Sequence, residues 1–191
     1  MSLVADWKPN RDWIPDHSYE TIQEVPWEQL IWPPGIKSGR RYLIWDCDNF
    51  VARKGENRAV YAAQEALKSA RAAGMIDICL VSNVGIPGIN DWRIKRVKSI
   101  AKTLDIEEDH VVCAFLRNPK PSAIPFVQAC QIMGVPPENY SQVLVAGDQP
   151  RTDIQGGNRL GMTTIWVAPL DPKTDYPWTK WSRRLERGLK T

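Results

Sequence analysis

The chain predicts an α/β fold, a doubly wound parallel sheet without a large cap domain, and three observations carry that prediction. Short apolar runs of strand length at 42–46, 76–82, 111–115, 142–147 and 163–168 are rich in branched and aromatic residues. Helical patterns fill the gaps between them, and alternating strands and helices imply parallel pairing with right-handed crossovers. Polar residues with chemical capability follow four of these runs, and one parallel sheet brings all its strand carboxyl ends to a single edge.

Residues 1–40 read as an arm that holds Trp7, Trp13, Trp27 and Trp32 among prolines, with little periodicity. Scattered indoles of this kind are expected to pack onto the core rather than stack on bases. The core spans 41–170. Its first run, Tyr42-Leu43-Ile44-Trp45, leads into Asp46-Cys47-Asp48-Asn49. Val60, Ala63, Leu67 and Ala70 then share one helical face, which Gly74 ends. After the second run, Ile94, Val97, Ala101 and Leu104 form another face behind Asn90 as its cap. A third helical pattern runs over 122–134 and a short fourth over 152–160. The last zone, 171–191, predicts a basic amphipathic helix. Trp178, Trp181, Leu185 and Leu189 lie on one face, and Lys180, Arg183, Arg184, Arg187 and Lys190 lie elsewhere.

Bulk properties narrow the function classes. With 191 residues, 43% hydrophobic and 25% charged, the chain has the composition of a soluble globular domain that can bury a substantial core. A net charge of +3, concentrated at the C-terminus, gives no strong nucleic-acid signal. The apolar runs fall far short of the ~20 residues that a membrane span needs. Asp6, Lys8, Arg11 and Asp12 interrupt any signal-peptide pattern. Cys47, Cys79, Cys113 and Cys130 lack paired metal or redox spacing, which predicts reduced thiols and a cytoplasmic protein.

Four strand-end clusters carry the chemistry. Asp46 and Asp48 follow the first run, Ser82-Asn83 ends the second, Lys120 lies in the loop after the third, and Asp148 and Asp153 follow the fourth. Each residue type has a use in phosphoryl transfer. A carboxylate can attack phosphorus, and a second can protonate the leaving oxygen and later activate water. A hard cation such as Mg²⁺ takes a few oxygen ligands, while an ammonium and a hydroxyl hold the equatorial oxygens. Any one cluster alone is an ordinary turn or a solvated loop. Together, in this order and at these strand ends, they are poorly explained by chance. Other hydrolase chemistries lack support, because neither His17 nor His110 is near a cluster and no Gly-x-Ser-x-Gly elbow or Walker loop occurs. Cys47 reads as a filler between functional neighbours.

These clusters resemble the motifs of the haloacid-dehalogenase-like (HAD) superfamily, whose first motif is Asp-x-Asp-x-Thr/Val and whose fourth is Gly-Asp-x(4)-Asp. Within it, Gly147-Asp148-Gln149, Thr152-Asp153-Ile154, 156–162 and Val167-Ala168-Pro169-Leu170 look similar to the YqeG-like (subfamily IIIA) phosphatases. Gly35-Ile36-Lys37 and the basic ending at 183–187 fit as well. The resemblance covers roughly 20–190. It implies a Mg²⁺-dependent phosphomonoesterase working through an aspartyl-phosphate. Asp46 would be the nucleophile and Asp48 the general acid/base. Asp46, the Asp48 carbonyl and Asp148 would hold Mg²⁺, with Asp153 in support. Ser82, Asn83 and Lys120 would bind the phosphoryl group. Relatives act on phosphatidylglycerophosphate, so a lipid phosphate is one candidate substrate. The composition of the C-terminal helix admits two readings: its apolar face docks on the core while the arginines face water, the commoner fate of such a face, or it rests on the inner face of an anionic membrane.

One departure stands out: Phe50 occupies the position of the family's Thr or Val. It motivates the alternative of a weakly active or inactive HAD-fold scaffold. The intervals from Asp48 to Ser82 and from Ser82 to Lys120 are each consumed by helix, strand and loop, which leaves no room for an inserted cap. An open site suits a phosphate on a large or surface-bound molecule.

Overall fold

The computed structural model describes residues 11–31 and 41–186. Trp7, Trp32, the Gly35-Ile36-Lys37 segment, Arg187, Leu189 and Lys190 lie outside the described residues.

Six parallel strands form one sheet: β1 (His17–Tyr19), β2 (Tyr42–Trp45), β3 (Asp77–Gly85), β4 (Val111–Phe115), β5 (Val143–Gly147) and β6 (Thr163–Val167), in the order β1-β6-β5-β2-β3-β4. The five expected strands are present and a sixth is added at the edge. β1 pairs with β6 through His17↔Ile165 and Tyr19↔Val167. Three residues with a polar first position carry no periodic signal, so this strand exists only because β6 supplies its partner.

The helices are α1 (Trp27–Ile31), α2 (Tyr61–Ala72), α3 (Asp91–Thr103), α4 (Ala123–Ile132), α5 (Gln155–Arg159) and α6 (Pro177–Glu186). Side-chain alternation along the strands divides the core between the two sheet faces. Leu43, Trp45, Leu80 and Leu144 pack with α2 and α3 on one face. Tyr42, Ile44, Val81 and Val145 pack with Phe126, Ala129 and Cys130 of α4 on the other. This is the doubly wound arrangement, and it is why β2 is buried at all four positions.

The arm packs as expected where it is described. Trp13 and Trp27 are buried, and the Trp27 ring lies 5.6 Å from that of Trp45. Asn90 does not cap α3. Its Oδ1 accepts instead from the Ile86 amide at 2.8 Å. Gly85 has a φ of +98°, and a Cβ there would lie 2.4 Å from that same oxygen. The fourth helical pattern begins as a single π-helical turn, Pro150–Ile154, which runs into α5. None of the four cysteines forms a disulfide.

The chain goes from β2 outward to β3 and β4, then returns to β5 on the opposite side of β2. The strand order therefore reverses between β2 and β5, and open α/β sheets place their ligand crevice beyond the carboxyl ends of such a pair.

Candidate active site

Asp46 is the first residue past β2, and its amide donates to the Ala146 carbonyl at 3.0 Å. Asp148 is the first past β5. The register Trp45↔Ala146 thus sets these two carboxylates side by side across the switch point.

Asp153 joins them from the π turn. Oxygen atoms of Asp46, Asp148 and Asp153 lie within 4.8 Å of one another, all three side chains being buried. Gly147 makes room for this, since a Cβ on it would fall 2.4 Å from Asp153 Oδ2. The Gly-Asp pair is therefore required here by a close approach of a functional side chain. The Gln149 amide donates to Asp153 Oδ2 at 3.2 Å and fixes it from below.

Three buried carboxylates repel one another and need cations. Lys120 supplies one charge from the loop after β4. Its Nζ donates to Asp46 Oδ1 at 2.5 Å, to Asp153 Oδ1 at 2.6 Å and to the Val81 carbonyl at 2.9 Å. All three ammonium donors are used. Burial would lower the Lys120 pKa, but Asp153 and Asp46 outweigh it and hold the side chain protonated. Burial pushes Asp46 up to about 6 against the pull of Lys120.

Arg183 of α6 supplies the second cation. It donates from Nη2 to Asp148 Oδ2, from Nη1 to the Asp148 carbonyl at 2.8 Å, and from Nε to Asp175 Oδ2 at 2.5 Å. Even so, burial raises Asp148 well above the usual carboxylate range, with Arg183 opposing. Asp148 Oδ1 is buried without any hydrogen-bond partner. Buried carboxylate oxygens are rarely left in that condition.

The other predicted residues fall around this centre. Asp48 lines the same cavity and is clamped by the buried Arg96, whose Nη1 lies 2.6 Å from its Oδ1. Ser82 is buried and lines the cavity beside Asp46. Asn83 also reaches the cavity, but its Oδ1 accepts from the Lys120 amide at 2.9 Å. Its amide side chain thus aims Lys120 as well as facing the cavity. Cys47 is fully buried and its thiol is pushed far up, first by burial and then by Asp48 and Asp46, which disfavours the thiolate. Phe50 turns away from the site. It is 2% exposed and meets Trp45 edge-on at 5.7 Å, so its bulk is absorbed by the core.

The expectation of an open site needs correction. No inserted domain occurs among the described residues, yet the segment after β6 folds back over the strand ends. Asn49, with a φ of +60°, donates from Nδ2 to the Asp171 carbonyl and at 2.8 Å to Asp175 Oδ1. The Leu170 amide donates to the Asn49 carbonyl at 2.8 Å. Asp175, Tyr176 and Thr179 therefore roof a cavity of about 190 Å³ whose floor is Asp46, Asp48, Ser82 and Lys120. Sequence reasoning missed Arg96, Arg183, Asp175 and Tyr176 as site residues. Arg183 was visible only as one charge among several on a basic helix.

The arrangement pairs a buried carboxylate at a switch point with an ammonium, a hydroxyl and a second, clamped carboxylate. Residues 118–169 match the HAD-hydrolase-like family. That segment carries Lys120, Asp148 and Asp153; the clusters after β2 and β3 lie outside it. No curated protein sequence matches the chain. Among solved structures, it is similar to a haloacid dehalogenase-like family hydrolase from Xanthomonas campestris, with 11% identity, a TM-score of 0.38, and coverage of 69% of this chain and 53% of that one. It is also similar to a double mutant of a thermostable NPPase from Geobacillus stearothermophilus, at 20% identity and a TM-score of 0.26, over 66% of this chain and 47% of that one. A p-nitrophenyl phosphatase from Archaeoglobus fulgidus matches at 22% identity and a TM-score of 0.24, over 66% and 43%. The chain spans about half the length of these solved structures or less.

Proposed function

We propose that this protein is a HAD-type phosphomonoesterase of the YqeG-like kind, which works through an aspartyl-phosphate on Asp46. The observation that carries the reading is the buried, lysine-bound carboxylate of Asp46 at the switch point, facing a cavity that also holds Ser82 and Asp48. An Asp46 oxygen attacks phosphorus and the ester P–O bond breaks. Asp48 gives its proton to the leaving oxygen. Asp48, now ionised and held by Arg96, takes a proton from water as that water attacks phosphorus, which frees phosphate and restores Asp46. Ser82 stands where it can hold a phosphoryl oxygen as charge develops, and Lys120 would do the same by exchanging one of its three present acceptors for that oxygen.

A divalent cation such as Mg²⁺ fits this donor set. The buried Asp148 Oδ1 lacks a partner, and the clustered oxygens of Asp46, Asp148 and Asp153 are hard ligands. Asp46, the Asp48 carbonyl and Asp148 would hold it, with Asp153 in support through Lys120. When bound, it supplies charge neutralisation at the phosphoryl oxygens.

The test is hydrolysis of a generic aryl phosphate and of a broad phosphomonoester panel with Mg²⁺. We expect turnover by the wild type, and a loss of at least about a thousandfold in Asp46→Asn, which keeps shape but removes the attacking charge. Turnover that survives Asp46→Asn would remove Asp46 from the mechanism.

A second reading, a catalytically silent scaffold, is favoured by one observation. Each of the three buried carboxylates already has a protein cation, Lys120 for two of them and Arg183 for the third. A wild type that stays inactive across the whole panel would select it. The bulk of Phe50 does not support this reading, because its ring packs in the core, whereas the hydroxyl it lacks still does.

A lipid phosphate remains the finer proposal for substrate, with α6 at an anionic membrane. No helix among the described residues is long and apolar enough to cross a membrane. The face of α6 turned inward carries Thr179, Ser182 and Glu186, whereas Trp181 is 44% exposed beside exposed Lys180 and Arg184. A tryptophan among cations on the outer face supports contact with anionic headgroups.

A further inference from the structure

Two cations in the cavity have no part in the chemistry above. Lys54, from the loop after β2, and Arg93, from the first turn of α3, both line the cavity that contains Asp46. They converge on one residue of the roof. Lys54 Nζ lies 3.1 Å from the centroid of the Tyr176 ring, and Arg93 Nη2 donates to the Tyr176 hydroxyl at 2.5 Å. Both are half-buried. Among the described residues, neither has a carboxylate within ion-pair distance. The carboxylates nearest by are already engaged: Asp48 by Arg96 at 2.6 Å, and Asp175 by Arg183 at 2.5 Å and Asn49 at 2.8 Å.

Two half-buried cations that share an aromatic ring and lack a counter-ion are an unfavourable arrangement unless an anion joins them. The surroundings of Lys54 act in the same sense. Burial lowers its pKa, Asp175 and Asp48 do not compensate, and Arg93 and Arg183 add to the lowering. A second cavity, of about 230 Å³, continues from the first past the same Lys54, Arg93 and Tyr176 to the exposed Trp92. The space beyond the pair is therefore open to the rest of a ligand.

We infer that Lys54, Arg93 and Tyr176 form an anion subsite that selects substrates with a second negatively charged group near the phosphoryl group. The inference rests on the phosphoryl position being at Asp46. The guanidinium gives two directed donors, the ammonium gives a point charge, and the tyrosine ring holds both in place. A simple monoester would leave the pair unanswered. A ligand with a phosphate and a further phosphate, phosphodiester or carboxylate would answer both centres, and its remaining body would lie along the second cavity.

The test is equilibrium binding by calorimetry, with no turnover involved, so failure of the hydrolysis experiment leaves it intact. The probes are methylphosphonate and a series of alkane bisphosphonates of increasing chain length. Wild type should bind at least one bisphosphonate about tenfold or more tighter than methylphosphonate, as expected when a charge-assisted contact is added. Lys54→Met and Arg93→Met should each lower that ratio by about threefold or more, and the double variant should bring it near one. Arg93→Lys, which keeps the charge, should retain most of the ratio. Thermal unfolding of each variant checks the fold, and Lys54→Gln and Arg93→Gln replace any variant that fails it. A wild type that binds no bisphosphonate, or binds all of them no better than methylphosphonate, overturns the subsite. A preference undiminished in the double variant overturns it as well.

Discussion

At Lys120 one ammonium is shared by two buried carboxylates, and truncating it leaves both charges without a partner. Lys120→Met should therefore destabilise the protein by about 3–5 kcal/mol, the cost typical of breaking a buried ion pair from one side. Urea denaturation at neutral pH measures this. Part of the loss should return as pH is lowered, because Asp46, already raised by burial, takes up a proton and one of the unpaired charges disappears. A variant as stable as wild type would show that water reaches these carboxylates. Gly147 belongs to the same scale. Its missing Cβ is what lets Asp153 stand close enough to hold Lys120, so the glycine at the end of β5 and the lysine in the loop after β4 act on one geometry.

Among the elements, β3 and β4 are joined at their starting ends by His110. Its Nε2 lies 3.0 Å from Asp77 Oδ2 and its Nδ1 lies 2.7 Å from Asp109 Oδ1. Burial alone would lower its pKa, but hydrogen bonds to Asp109 and Asp77 outweigh burial and raise it. The protonated form is thus favoured in the folded state. The stability it contributes is fully present below the unfolded value, near 6.5, and is lost as pH rises through the raised folded value. Because the site is partly solvated, the effect should stay below about 1 kcal/mol. Chemical denaturation from mildly acidic to mildly alkaline pH should show this decline in wild type. His110→Gln should flatten it, and an identical decline in that variant would place its origin elsewhere.

Over the whole molecule, the described part of the basic C-terminal segment presents two faces. Arg183 points inward to Asp148 and Asp175, whereas Lys180, Trp181 and Arg184 face outward. This division changes what removal of the tail should do. The sequence leaves two readings, a helix docked on the core by its apolar face and a peripheral helix whose deletion spares hydrolysis. In the structure, deleting 177–191 uncovers Asp148 and should abolish activity together with any membrane contact. The informative variant is Trp181→Ser combined with Arg184→Ser, both on the outer face. Liposomes containing phosphatidylglycerol should sediment the wild type at low salt and release it at high salt, since a surface electrostatic attraction is screened. The double variant should sediment less while still hydrolysing aryl phosphate. Wild-type protein that never sediments would remove the membrane from the proposal.

The sequence alone determined the order of strands and helices over 42–168 and which polar residues gather at one sheet edge. Apolar periodicity is a local property, and strand-end placement follows from parallel pairing without further information. Asp46, Asp48, Ser82, Lys120, Asp148 and Asp153 were legible for that reason. Only the tertiary structure decided the contacts that depend on distant partners. The strand at His17–Tyr19 exists because β6 offers it an edge. Asn83 reaches the cavity as its place after β3 suggests, and only the structure shows that its side chain also takes the Lys120 amide. The place of the Phe50 ring, edge-on to Trp45 in the core, depends on packing that the motif spacing does not record. On α6, Arg183 turns inward to Asp148 and Asp175, whereas Trp181 stays exposed. Buried charges must find counter-charges wherever the fold provides them, and no local pattern records which arginine in a basic segment will be the one.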